Sequence, residues 1–383
     1  MEQSLPEYKL AFEPPLLVHY LSGGLSLLVS RNNLNAVFAP RSGIIPYCSC
    51  DGRIDQLLND QPGVRVLGIA FNQSAEEMQD PVISKFILPR GGTSACRAHA
   101  QQVYWEGLGN TLGSAERRSD SLVANRVSNQ FRVCTFRFER LAAAYRTVLS
   151  IVGNEEHQAN NALTNNKYAQ YVGNEYRSLL NELYGLRDAL LGAFFRILNG
   201  RTGPYESKKV RSLVKGAQHG AAKMILDSMF AESGDRLIEH MTLYRSVALH
   251  CLGDNHPIFG DGYKISESVG VFGHLPMIVY PLYDDIERMR DIEKDSSKGT
   301  AERLPREEAE RFLSLKSHID ALEFCFDCYV RLLSLSEAMA SEIPLKPQPF
   351  TLTDKDILEL TMKSRDGTVR RFKQSESGNL VEV

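Results

Sequence analysis

The feature that most constrains this chain is a stripe of apolar side chains between Tyr168 and Leu198. Val172, Leu179, Leu183, Leu186, Leu190 and Phe194 recur with their neighbours at offsets of three and four. That spacing puts them on one face of a helix with 3.6 residues per turn. A helix of this length with one apolar face must be covered by other helices. Asn199–Gly200 supplies its stop signal.

Similar periodicity predicts the covering elements. A second helix is expected over about 207–230, and a third over about 234–252, ending at Gly253. Two more are expected over 283–295 and 305–342, joined by a polar connection, Ser296–Arg303. Pro344, Pro347 and Pro349 close the helical region. Upstream, 95–113 and 136–153 have helical character, with a Ser- and Arg-rich connection, Ser114–Arg132, between them. Residues 154–166 read as an Asn-rich loop, and 253–284 as irregular apart from one apolar run, Met277–Leu282. Leu25–Val29 and Val64–Phe71 are short apolar runs bounded by Gly, Asn and Pro, the pattern of buried strands. The tail, 357–383, reads as a β-hairpin around Arg365-Asp366-Gly367. The expected class is α+β. It comprises a mixed, β-rich part (1–94), a helical connecting segment (95–153), a helical bundle (154–343) and a hairpin tail (344–383).

Bulk properties narrow the function classes. At 383 residues two or three domains are expected. With 43% apolar and 24% charged residues, a core forms without disulfides or metals to support it. The cysteines, at 48, 50, 96, 134, 251, 325 and 328, are odd in number and irregularly spaced, which argues for reduced thiols in a cytoplasmic setting. A net charge of −3 gives no global pull toward nucleic acid, so any RNA must be met by a local basic face. The opening MEQSLPEYKL has no apolar core of a signal peptide. The longest apolar stretch, Leu16–Val29, is broken by His19, Ser22, Gly23 and Gly24. The expectation is therefore a soluble, cytoplasmic chain with no membrane partner.

The pattern with most chemical content is Arg245-Ser246-Val247-Ala248-Leu249-His250, R-x4-H. Histidine exchanges protons near neutral pH. Arginine holds a phosphate and offsets charge building on its oxygens. Together they suit metal-free RNA cleavage. On an ideal helix their five-residue offset separates them by about 140°, so they converge only if the last turn tightens or two copies face each other. An arginine four to six residues ahead of a histidine also arises by chance, and Arg311–His318, with six between them, fits that wider spacing. Lys208, Lys209, Arg211 and Lys215 form a basic group whose spacing shares one helix face, suited to an RNA backbone or simply to solvent.

Other groupings carry less. Cys325-Phe-Asp-Cys328 has zinc-like spacing, but no second pair accompanies it and it falls inside a helix, as two buried cysteines would. Cys48 and Cys50 suit no common zinc knuckle. Asp254, His256 and His274 follow the R-x4-H pattern as candidates for a metal or an assisting role, against ordinary loop polarity. No P-loop, H-E-x2-H or G-x-S-x-G motif occurs.

From Tyr168 to about Ser341 the chain resembles the HEPN superfamily of α-helical bundles that bind or cut RNA. The resemblance rests on a long first helix ending in NELYGLRDALLGAFFRI, a second helix, a third ending in YRSVALH, and a final long helix after an insertion. It implies a metal-independent endoribonuclease needing no cofactor, cutting single-stranded RNA or tRNA, often in antiviral defence or toxin systems. It also implies a homodimer with two R-x4-H motifs in one cleft, and a possible protein partner or trigger. Arg245 would hold phosphate and His250 would transfer protons. Ser246 stands where the family often has Asn, and Asp188 or Glu182 would supply the polar residue of the first helix. The alternative is a non-catalytic RNA- or protein-binding scaffold on the same bundle. A small-molecule enzyme within 1–150 is a third class.

Overall fold

The computed structural model describes residues 15–21, 25–30, 35–39, 43–46, 65–71, 89–90, 93–154, 163–164, 167–200, 220–230, 236–246, 263–270, 273–279, 321–347, 359–363, 369–374 and 380–382. This described part is mostly helical. Among its residues no helix is long and apolar enough to cross a membrane.

The first strands, β1 (Pro15–Leu21), β2 (Ser26–Ser30), β3 (Asn35–Ala39), β4 (Gly43–Pro46) and β5 (Val66–Phe71), form an antiparallel sheet in the order β4-β3-β2-β1-β5. The apolar stretch 16–29 is thus a hairpin, closed where the Leu21 amide donates to the Leu25 carbonyl. Val18 and His19 are both buried although they point to opposite faces. Both sides of β1 are therefore covered, which explains a continuous apolar run in place of alternation.

His19 sits there without a protein hydrogen-bond partner for Nδ1 among the described residues. Burial pushes its imidazole down to about 4 from 6.5. The neutral form is the one that fits, so stability is complete above pH 6.5 and falls as pH drops toward 4, when the unfolded chain binds a proton that the folded chain refuses. A displacement of that size corresponds to about 3 kcal/mol. His19→Leu is expected to remove most of this loss between pH 7 and 4.5. Denaturation midpoints at the two pH values check it, and an unchanged acid sensitivity would assign the loss to other groups.

Two short strands, β6 (Pro89–Arg90) and β7 (Thr93–Cys96), lead into helix α1 (Arg97–Ser114). A tight turn then starts α2, which runs unbroken from Arg118 to Asn154. The expected polar connection at 114–132 is corrected accordingly. Only 115–117 break the helix. The Arg117 amide donates to the Leu112 carbonyl and Glu116 to Gly113, with Glu116 at φ 60°, the left-handed closing turn usually made by glycine. The polar residues of 118–132 are the outer side of a helix whose inner side buries Ala124, Val127, Ser128 and Phe131. A β-carbon at Gly109 would meet the end of the exposed Asn125 side chain, which would have to turn away. Residues 95–153, expected as a connecting segment, enter the same apolar core as the helices that follow.

Helix α3 spans Lys167–Ala193 and continues as one wider π turn, Phe194–Leu198. The sequence stripe is its buried face, with Val172, Leu179, Leu183, Leu186, Leu190 and Phe194 essentially inaccessible. Asn199 caps the end through Nδ2 on the Phe194 carbonyl, and Gly200 follows at φ +61°. Helix α4 (Ala221–Phe230) is capped by Glu342, which accepts from the Ala222 amide at 2.8 Å. Helix α5 is Leu237–Ser246, and α6 is Ala321–Glu342.

The last helix is the hub, touching each of the other five. Its polar contacts are specific. Trp105 Nε1 donates to Ser336 Oγ at 2.7 Å, and Ser336 passes its own proton to Gln101 Oε1 at 2.7 Å. Arg97 binds Glu337 at 2.7 Å. Arg65, beside β5, pairs with Asp327 and lies over Phe326, tying the sheet to α6.

The expectation of irregular structure over 253–284 is also corrected. Strands β9 (Tyr263–Gly270) and β10 (Gly273–Val279) pair in register from Gly270–Gly273 to Lys264–Val279, and β8 (Leu163–Thr164) adds to β9. In β9 the alternation of Ile265 and Val269 with Lys264, Ser266 and Ser268 carries the strand signal that the glycines obscured. The tail strands β11 (Glu359–Lys363), β12 (Val369–Gln374) and β13 (Leu380–Glu382) form an antiparallel sheet, with β11 and β12 flanking 364–368. The helix expected at 283–295, and the first parts of those expected at 207–230 and 305–342, lie outside the described residues.

Candidate functional site

Helices α3 and α5 pack against each other, and the face between them is polar at one place. Asn181, Tyr184 and Arg187 follow at offsets of three along α3, so they line one side of it. On α5, Thr242 and Arg245 stand three apart and meet them. Arg245 donates to Asn181 Oδ1 from Nε at 3.3 Å and from Nη2 at 3.2 Å. Its guanidinium lies 4.5 Å from the centre of the Tyr184 ring. Arg187 approaches the same ring at 3.9 Å. It also donates to Thr242 Oγ1 at 2.6 Å and to Asp188 Oδ1 at 2.7 Å.

The energetics of this cluster differ between its two arginines. The Arg187 side chain is only 2% exposed, against 38% for its carboxylate partner Asp188. A buried guanidinium requires a full set of acceptors. Thr242 helps because its own proton goes to the Ile238 carbonyl at 2.7 Å, leaving a lone pair for Arg187. Arg245 is half-buried, and its contacts include a neutral amide and a ring. Asn181 and Tyr184, both neutral, orient the plane of Arg245. An oriented guanidinium has the geometry that suits a phosphate oxygen.

The structure brings some sequence-predicted residues here and not others. Arg245 is at the centre. Ser246 is the last residue of α5, directly after it. Asp188 is on the patch but holds Arg187. Glu182 faces away, toward α2, where Gln130 Nε2 donates to its carboxylate at 2.7 Å and to its carbonyl at 2.9 Å. Leu243 is buried, as the apolar side of this helix should be. His250, the basic group Lys208, Lys209, Arg211 and Lys215, and Asp254 and His256 lie outside the described residues. His274 pairs with Val269 in the β9–β10 ladder. Cys325 and Cys328 are buried thiols on α6, as is Cys134 on α2. Burial raises the Cys134 thiol well above its ordinary range, which makes it inert. Among the described residues no three His, Cys, Asp or Glu side chains converge as metal ligands would.

Sequence reasoning missed Asn181, Tyr184, Arg187 and Thr242. The signal available was the Asn-x2-Tyr-x2-Arg spacing between the core positions Leu180, Leu183 and Leu186, on the longest helix stripe in the chain. Comparison of the chain with protein-family models, with curated proteins and with solved structures finds no match.

Proposed function

We propose that the chain is a metal-independent endoribonuclease of HEPN type, with Arg245 and His250 as its working residues. The observation that carries this reading is the placement of Arg245. At the end of a short helix, its half-buried guanidinium is oriented by Asn181 and Tyr184 of the long helix α3. Held this way it binds the scissile phosphate and stabilises charge on its non-bridging oxygens. His250, five residues on, exchanges the protons. The 2′-oxygen attacks phosphorus, the 5′-oxygen departs with a proton, and the products carry 2′,3′-cyclic phosphate and 5′-hydroxyl ends. One protomer offers one such histidine, so the acid and base come from a homodimer that pairs two copies of this patch across a two-fold axis. Lys208, Lys209, Arg211 and Lys215 track the RNA backbone, Ser246 and Asp188 support the pair, and a defence or toxin role fits such an activity.

The test is direct. In EDTA, the purified protein is expected to cut single-stranded RNA to cyclic-phosphate ends, His250→Ala is expected to be inactive, and light scattering is expected to give a dimer. Strict dependence on magnesium, or 5′-phosphate products, would point to other residues. A second reading, a non-catalytic RNA- or protein-binding scaffold, draws on one observation. Arg245 already engages Asn181 and Tyr184 in the way that an interhelical clasp would. RNA that is bound but left intact decides for it.

A further inference from the structure

Helix α2 has an outer face that its packing role does not explain. Arg118, Leu122, Arg126, Arg132, Phe136 and Arg140 are all exposed. At 100° per residue they fall within a sector about 120° wide, and from Arg118 to Arg140 the face is about 33 Å long. The arginines are separated by about 12, 9 and 12 Å along the axis. Between them stand two exposed apolar groups, Leu122 at 71% and Phe136 at 52%.

Charge on this face is not compensated in the usual way. A solvated helix face interleaves opposite charges at offsets of three and four. The only acids of α2 are Asp120 and Glu139. Asp120 is taken by Arg117 at 2.8 Å and by Arg196 at 2.6 Å. Glu139 is half-buried, and burial pushes its carboxyl up to about 6. Glu175 of α3, 10% exposed, serves Arg140 at 3.2 Å and Arg137 at 3.8 Å, one carboxylate for two cations. Arg132 donates to the neutral Asn129 Oδ1 at 2.6 Å. Among the described residues Arg118, Arg126 and Arg132 have no carboxylate partner.

We propose that this face is a binding track for single-stranded RNA, with Arg118, Arg126 and Arg132 on spaced phosphates of one strand and Phe136 under a base. It rests on the reading of the chain as a protein that acts on RNA, and it adds where the strand lies. A row of unneutralised guanidiniums calls for a polyanion. An exposed aromatic ring within that row calls for unpaired bases, because a stacked duplex offers no free base face to it. The track is fastened to the helix of the candidate site. Arg137 and Arg140 bind Glu175, and Gln130 binds Glu182, the residue after Asn181.

The experiment uses the full chain in EDTA and a fluorescein-labelled 2′-O-methyl oligouridylate, which has no free 2′-hydroxyl and is not cut. Anisotropy gives the affinity between about 50 and 200 mM salt. The triple variant Arg118→Gln, Arg126→Gln, Arg132→Gln is expected to lower the slope of log affinity against log salt by about 2, from roughly 0.7 per phosphate contact. The corresponding lysine triple is expected to keep the wild-type slope, which excludes a folding defect as the cause. Phe136→Ala is expected to weaken binding about tenfold at unchanged slope. A wild-type slope in the glutamine triple, no binding of the probe, or duplex RNA bound as tightly as the single strand would overturn the track. If the probe binds with the expected slope while unmodified RNA stays intact, the nuclease reading fails and the track stands. If RNA is cut but the glutamine triple has an unchanged KM, the reverse holds.

Discussion

Arg245→Ala is expected to slow RNA cleavage in EDTA by about 10²–10³-fold in kcat, with a smaller change in KM. The magnitude is that of removing one pre-oriented donor from a charge that develops in the transition state. The pre-orientation is visible in the two bonds to Asn181 Oδ1 and the contact with Tyr184. Arg245→Lys is expected to recover little, because an ammonium cannot present a planar fork to both the amide and the ring while still reaching a phosphate. Asn181→Ala should fall between, since it loosens the guanidinium without removing it. A scaffold role predicts a different pattern. There Arg245→Ala would lower the unfolding midpoint and leave any RNA cleavage unchanged. Single-turnover rates together with urea midpoints on the same variants separate the two.

How far the sequence anticipates this arrangement varies from one element to the next. Helix α3 was legible almost to its ends because its inner face is a dense row of large apolar residues and Asn199–Gly200 stops it. The first half of α2 was not. Its inner positions include Ala124 and Ser128, so apolar density is low, and its outer face is rich in Arg and Asn. Composition over 114–132 therefore reads as a loop, although the period-3.6 spacing of Ala124, Val127 and Phe131 is present. The turn before it was hidden as well, because Glu116 rather than glycine occupies the left-handed position. For the site, Arg245 stood out through the R-x4-H spacing. Its partners did not, since Asn181 lies 64 residues away, and the Arg187–Thr242 contact spans 55. Local periodicity says which side of a helix is buried. It does not say which polar residues meet across two helices.

Tyr329→Ala is expected to cost about 3–5 kcal/mol of folding stability, the range for truncating a fully buried aromatic. Tyr329 is 0% exposed on α6. Its ring stacks on Phe131 at 6.2 Å and leans on Phe138 at 6.4 Å, both from α2. Its hydroxyl lies 2.8 Å from Thr135 Oγ1 and 3.2 Å from the Phe131 carbonyl, which also takes a bond from Thr135 at 2.9 Å. One residue thus joins the hub helix to the longest helix by packing and by its hydroxyl, which meets Thr135 and the Phe131 carbonyl. Tyr329→Phe keeps the ring and loses the hydroxyl, so about 1–2 kcal/mol is expected. Against a total of about 5–15 kcal/mol, the alanine variant is seriously weakened and the phenylalanine variant is not. The reporter is built in. Trp105 is the only tryptophan, fully buried, and its Nε1 is bonded to Ser336, seven residues along the same helix α6. Its fluorescence follows the docking of α1 on α6 during urea unfolding. Equal losses for the two variants would mean that the hydroxyl contacts outweigh ring packing here. A Tyr329→Ala midpoint indistinguishable from wild type would show that α2 and α6 do not unfold as one unit.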